Sequence, residues 1–139
     1  MSGTTIIRYL LANAAGVTAL VPATRIMAGV LPIDVERPCI AVQQISGEQA
    51  NTLKMGESSY LVTHRVQVTV FATDTSSSSG YDAVRALLNA VLTACPHTSG
   101  VVNGITCYSI TPDSEGFDDY NQDTLTYSLT QDFMVSFVR

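Results

Sequence analysis

YLVTHRVQVTVFAT, residues 60–73, alternates along its whole length. Val62, His64, Val66, Val68, Val70 and Ala72 share one face, and Thr63, Arg65, Gln67 and Thr69 share the other. Side chains on a strand change sides at every residue, so this pattern predicts a half-buried strand over Tyr60–Thr73. The end of the chain repeats it. Leu125, Tyr127, Leu129, Gln131, Phe133, Val135 and Phe137 fall on one face of 125–138, with Thr126, Ser128, Thr130, Asp132 and Ser136 on the other. Both segments far exceed the usual strand of about five or six residues. Long strands joined by polar loops can project and pair with a neighbouring subunit, or bend across a large sheet. The pattern supports both.

Between these strands the period changes from two to about 3.6. Tyr81, Val84, Leu88, Val91 and Cys95 form one stripe, widened by Ala83, Leu87 and Ala90, with Asp82, Arg85, Asn89 and Thr93 opposite. Ser79-Gly80-Tyr81-Asp82 has the spacing of a capping box, so a helix is predicted over 80–95, stopped by Pro96. The Ser76–Ser79 run before it is a short linker. Near the start, Ile7, Leu10, Leu11, Ala14, Val17 and Val21 recur at helical spacing. A helix is expected from about Thr5 to Ala15, then a helical turn to Leu20 after Gly16, with Pro22 closing the segment.

The stretch 23–38, with Gly29, Pro32 and Pro38, reads as a connector holding at most a short strand around Arg25–Ala28. Cys39–Ser46 is β-branched enough for a strand, and polar 47–58 reads as a loop. Asn103-Gly104 marks a turn before a strand over Ile105–Thr111. The sum is one α+β domain over 1–139: a mainly antiparallel sheet of four to five strands flanked by two main helices.

Composition narrows the function. The chain has 139 residues, 46% of them hydrophobic, so material for a core is ample. Only 14% are charged, against an average of about 25%, which suits a surface partly covered by another copy or another protein. The net charge is −5 and the seven cations are scattered singly. Tight nucleic-acid binding needs cations converging on one face, so it is not expected. The opening MSGTTIIRYLLANAAG lacks the basic start and long apolar run of a signal peptide, and no stretch has the length of a membrane span. Cys39, Cys95 and Cys107 are odd in number and unpaired in spacing, as expected for buried thiols in a reducing cytoplasm.

A search for chemistry finds little. Cys95-Pro96-His97 cannot make a zinc site alone, and three cysteines with two histidines lack paired ligand spacing. Cys95 completes an apolar helical stripe, and Cys39 and Cys107 sit in apolar strands, which reads as core packing. Spacing leaves a Cys39/His64 dyad open, without an Asn or Asp orienter; His64 on the valine face reads as a buried histidine with a backbone partner. No phosphate-binding glycine motif and no nucleophile elbow occurs. Residues 113–123, DSEGFDDYNQD, hold Asp113, Glu115, Asp118, Asp119 and Asp123 without the order of a calcium loop. Five mutually repelling carboxylates with no neighbouring cation in sequence predict a solvated loop that does not fold back on the core. No catalytic residue, cofactor or metal site is expected.

The order of segments resembles the tail-completion proteins of long-tailed bacteriophages, also called tail terminators or tail-to-head joining proteins. The residues that carry it are Leu10, Leu11 and Leu20-Val21 in the opening helix, then Arg25-Ile26, Gly29, Leu31-Pro32 and Pro38 before a strand. The alternating Val62–Phe71, the helix 80–95 and the closing Phe133-Met134-Val135-Ser136-Phe137 complete it, over nearly the whole chain. The Ser76–Ser79 run departs from the pattern and bears on linker length. The resemblance implies a structural virion protein, assembled in the host cytoplasm as a hexameric ring. That ring would cap the tail tube and join it to the head connector, touching the major tail tube protein and neck proteins while DNA passes through without specific binding. In such a ring the acidic loop would face the lumen or its rim; a solvated outer loop is the alternative. Another neck or head-closure protein of a phage or contractile particle, a small cysteine-dependent enzyme and a monomeric ligand-binding domain are the competing readings.

Overall fold

The computed structural model describes residues 2–29, 31–32, 35–50, 60–95 and 99–139. The two alternating segments pair with each other as the middle of one sheet. They are β3, Leu61–Thr73, and β7, Thr126–Val138, antiparallel from Leu61↔Val138 to Thr73↔Thr126 without a bulge. That register puts Val62, Val66, Val68 and Val70 beside Phe137, Phe133, Gln131 and Leu129 on one face. Thr63, Arg65, Gln67 and Thr69 lie beside Ser136, Met134, Asp132 and Thr130 on the other.

Other strands extend this pair. On one side stands β2, Cys39–Gln49, and beyond it β1, Ile26–Ala28, which runs parallel to β2. On the other side stand β5, Ile105–Glu115, and β4, Gly100–Val102, while β6, Asp119–Asn121, pairs with the start of β7. The path is β1-β2-β3-β7-β5-β4. The α+β class and the mainly antiparallel sheet are as expected, but seven strands replace four to five. The additions are three-residue strands, too short to show a period in sequence. One of them, β4, makes a hairpin with β5 through Asn103 and Gly104, whose φ values of 49° and 77° are the two left-handed positions of a tight hairpin turn.

Two helices cover the valine–phenylalanine face: α1, Gly3–Ala12, and α3, Gly80–Ala94, with the single turn α2, Ala15–Thr18, packed against α3. The first begins earlier than its periodicity suggests, because Ser2 caps it through Thr5 N–H at 3.2 Å, and it ends earlier too, at Ala12 with Asn13 as its C-cap. Ile6, Ile7, Leu11, Val84, Leu87, Leu88 and Val91 join the sheet's valines and phenylalanines in one core. Tyr81, expected on the buried stripe, is exposed, while Gly80 beside it is buried. Leu125 is exposed too, held at φ 54° in the turn before β7. The capping box does not form. Ser79 makes no side-chain cap, and Asp74 Oδ1 instead accepts the Gly80 N–H at 2.7 Å.

Strand β2 continues through Gln49, past the expected end at Ser46, because Gly47 lies flat against the His64 ring. A Cβ there would come within 2.8 Å of that ring. The rest of the expected 47–58 loop lies largely outside the described residues. His64 is buried, stacks edge-on to Phe137 and accepts the Gly3 N–H at Nδ1, 3.0 Å away, so it caps α1 with a neutral ring. Burial, and then the Arg139 charge, lower its pKa below the usual 6.5. The unfolded chain therefore takes up a proton that the folded chain resists. This contribution to stability is full above about pH 6.5 and is lost as pH falls from there toward the lower folded pKa. Urea midpoints should drop between about pH 7 and 5, and the drop should shrink in His64→Asn. An equal drop in that variant would assign the effect to other groups.

Candidate assembly interface

The acidic segment is where charge, aromatic surface and sheet geometry meet. Sequence reading expects 113–123 to stand off the core without cations, and the structure corrects this. Residues 113–115 finish β5 and 119–121 form β6, so most of the segment is strand. Arg85, thirty residues upstream on α3, pairs with Glu115 at 3.2 Å and with Asp118 at 2.7 Å. Arg65 on β3 pairs with Asp113 at 2.7 Å and Asp132 at 2.8 Å. Long-range pairing of this kind leaves no trace in local sequence. Asp119 and Asp123 have no ion pair among the described residues.

Between the two carboxylates held by Arg85 the backbone is pinned. The Gly116 N–H donates to the Thr130 carbonyl at 2.9 Å, and a Cβ on Gly116 would meet Thr130 Oγ1 at 1.9 Å. A side chain there would have to turn the Thr130 hydroxyl aside. The next residue, Phe117, is 81% exposed. More aromatics lie beside its neighbour Asp118. Tyr81 donates its hydroxyl proton to Asp118 at 3.1 Å and lies under the Arg85 guanidinium. Tyr127 has ring neighbours Tyr120 at 4.5 Å and Tyr81 at 6.3 Å.

The sheet face away from the helices is mostly polar, and no helix packs on it among the described residues. Its centre is Asp132, which accepts from Arg65, from Gln67 at 3.3 Å and from Ser114 at 3.2 Å. Both outer strands have stretches unpaired among the described residues. Beyond Val42 the outer edge of β2 is open, and so is that of β5 beyond Cys107.

The candidate chemistry does not assemble. Cys39 stands opposite Phe71, seven residues along β3 from His64, roughly 23 Å at about 3.3 Å per residue. No Cys39/His64 dyad exists. All three cysteines are buried and free, and burial pushes the Cys95 thiol up to about 12, far from a thiolate nucleophile. Pro96 and His97 lie outside the described residues. A cleft of about 420 Å³ between the α1–α2 corner and α3 is lined by Ala14, Gly16, Asn89, Ala90, Thr93 and Ala94, with no ionisable side chain. No group of acidic, histidine or cysteine side chains suited to a metal occurs among the described residues. Among the described residues no helix is long and apolar enough to cross a membrane.

A family model described as "Tail completion protein gp17" matches residues 5–137. The chain belongs to this tail completion family. It is a structural phage tail protein and not an enzyme. Among solved structures, 35 chains are similar. One of them, from the "Virion of native gene transfer agent (GTA) particle", has a TM-score of 0.71 at 14% identity, covering 99% of this chain and 96% of that one. At that identity the likeness is one of fold. No curated protein matches the chain. Membership accounts for the missing catalytic set: what a tail completion protein offers is surface.

Proposed function

We propose that this tail completion protein closes into a hexameric ring that caps the tail tube and joins it to the head connector in the neck of the virion. Family membership across 5–137 carries the reading. The fold suits it. A ring needs head-to-tail contacts between two different surfaces of the same chain. The open stretches of β2 and β5 lie at opposite sides of the sheet and give each copy two unlike edges. The similar chain comes from a virion, which agrees with a place in the particle. Its partners would be a second copy of itself, the major tail tube protein and a neck connector protein, with assembly in the host cytoplasm. Sedimentation of the purified protein should give the mass of six copies, or the protein should sediment with added tail tubes. A monomer under both conditions sinks the ring.

Within this reading Asp113, Glu115, Asp118, Asp119 and Asp123 sit at the lumen or its rim, where like charge keeps DNA sliding instead of bound. The carboxylates without an ion-pair partner among the described residues are the place to test it. Replacing Asp119 and Asp123 by Lys should leave the fold intact, because exposed charges contribute little. Rings of this variant should retain DNA at low salt and release it as salt rises. Retention no greater than that of the parent ring would move the segment to the outside.

A further inference from the structure

His64 is held between two glycines from different elements. Its register partner on β2 is Gly47, and Gly3, the first residue of α1, packs on it from the helix layer. A Cβ on Gly3 would lie 2.9 Å from His64 Cβ and 2.8 Å from Val66 Cγ2. The close approach lets the Gly3 N–H donate to Nδ1. The first N–H groups of a helix have no partner inside it. In α1 the Ser2 hydroxyl takes that of Thr5, and the imidazole takes that of Gly3.

Nδ1 accepts only while it carries no proton. A proton there would point at the N–H it now receives, and would set a positive charge at the positive end of the α1 dipole. Among the described residues, nothing packed around the ring supplies a carboxylate to hold that charge. The start of α1 contributes Ser2, Gly3, Thr4 and Thr5. On β2, Glu48 stands opposite Thr63, on the face away from the helices. On β7 the neighbours are Val135 and Phe137, followed by Arg139, a second positive charge. Cys107, beyond Phe137, is a buried thiol whose pKa is pushed up by burial, so it stays neutral. Arg65, next along β3, is turned to the other face and pairs with Asp113 and Asp132.

We propose that His64 is a proton-operated latch on the first turn of α1. Neutral, it holds Gly3 against the sheet; protonated, it releases residues 2–5 while the rest of the helix stays seated. Packing sets the point of division. Ile6, Ile7 and Leu11 are buried in the core, whereas Gly3 alone of residues 2–5 is buried. Release uncovers Val66 and the imidazole itself, on which Gly3 rests. Acid therefore opens one turn before it unfolds the molecule.

Hydrogen exchange of the full-length protein, followed by NMR and corrected for the intrinsic pH dependence of exchange, tests the latch. Protection of the Gly3 and Thr5 amides should fall roughly tenfold or more between about pH 7 and 5, since a freed imidazole takes its proton near about pH 6.5. The fall should track the titration of the His64 ring, read from its carbon-bound protons. The Val84, Leu88 and Val91 amides of α3 should stay far better protected than Gly3 throughout. His64→Asn offers an oxygen in place of Nδ1 and no titrating group, so its Gly3 protection should hold level. Constant Gly3 protection in the parent overturns the latch, and so does an equal fall in His64→Asn. Gly3 and α3 amides equally protected in acid overturn it too, because the fold then opens as one unit. Should His64→Asn not fold, coincidence of ring titration and Gly3 exchange in the parent supports the latch, and a mismatch overturns it.

Discussion

Leu88→Ala should lower the free energy of unfolding by about 2–5 kcal/mol, and Tyr81→Ala, on the same helical stripe, by less than about 1 kcal/mol. The two positions share a period and differ in depth. Leu88 is 2% exposed within the core cluster where α3 meets β3 and β7. Truncation there removes three buried carbons and leaves a cavity that a rigid sheet cannot fill. Tyr81 is 38% exposed, one turn before Val84, and its hydroxyl reaches Asp118 instead of the core. Urea titrations of the two variants give both numbers with one method. A loss below about half a kcal/mol for Leu88→Ala would mean that α3 is not seated on the sheet.

Gly80→Ala should destabilise the fold by about 1–3 kcal/mol, although alanine is the better helix former by about 1 kcal/mol. Gly80 opens α3, where the chain turns sharply out of β3. A Cβ at this position would lie 2.7 Å from the Tyr127 ring, 2.8 Å from the Thr73 carbonyl carbon and 2.9 Å from the Asp74 nitrogen. Two of those atoms are backbone and cannot swing aside. Relief would pull the Gly80 N–H from Asp74 Oδ1, which supplies the cap that Ser79 does not. A midpoint equal to or above that of the parent would show that helix propensity outweighs the close approach.

Much of this was legible because it is written in period. The register of β3 and β7 pairs the two alternating faces as their patterns suggest, valine with phenylalanine and threonine with serine. Helix α3 falls within a residue of its expected end at 95, since Val84, Leu88 and Val91 allow one apolar stripe. The three-residue strands β1, β4 and β6 are another matter. A period needs more residues than they have, and only the Arg25–Ala28 expectation and the Asn-Gly turn pointed near two of them. The acidic segment misled for a different reason. Its carboxylates repel along the chain, while the guanidiniums that hold them arrive from β3 and α3.

By itself the sequence determined the α+β class, the two central strands, the main helix, the buried thiols and the absence of a catalytic motif. Each of these depends on local pattern or on residue type, and local pattern is what a linear chain records. The tertiary structure decided the rest. It chose Asp74 over Ser79 as the cap of α3, gave Gly3 to His64, and brought Arg65 and Arg85 to carboxylates distant in sequence. It also turned Phe117 outward between two pinned neighbours. Most of those contacts join residues dozens of positions apart, and their partners are selected by how the sheet and helices pack. No spacing along the chain encodes that choice, because a hydrogen bond or an ion pair depends on distance through space.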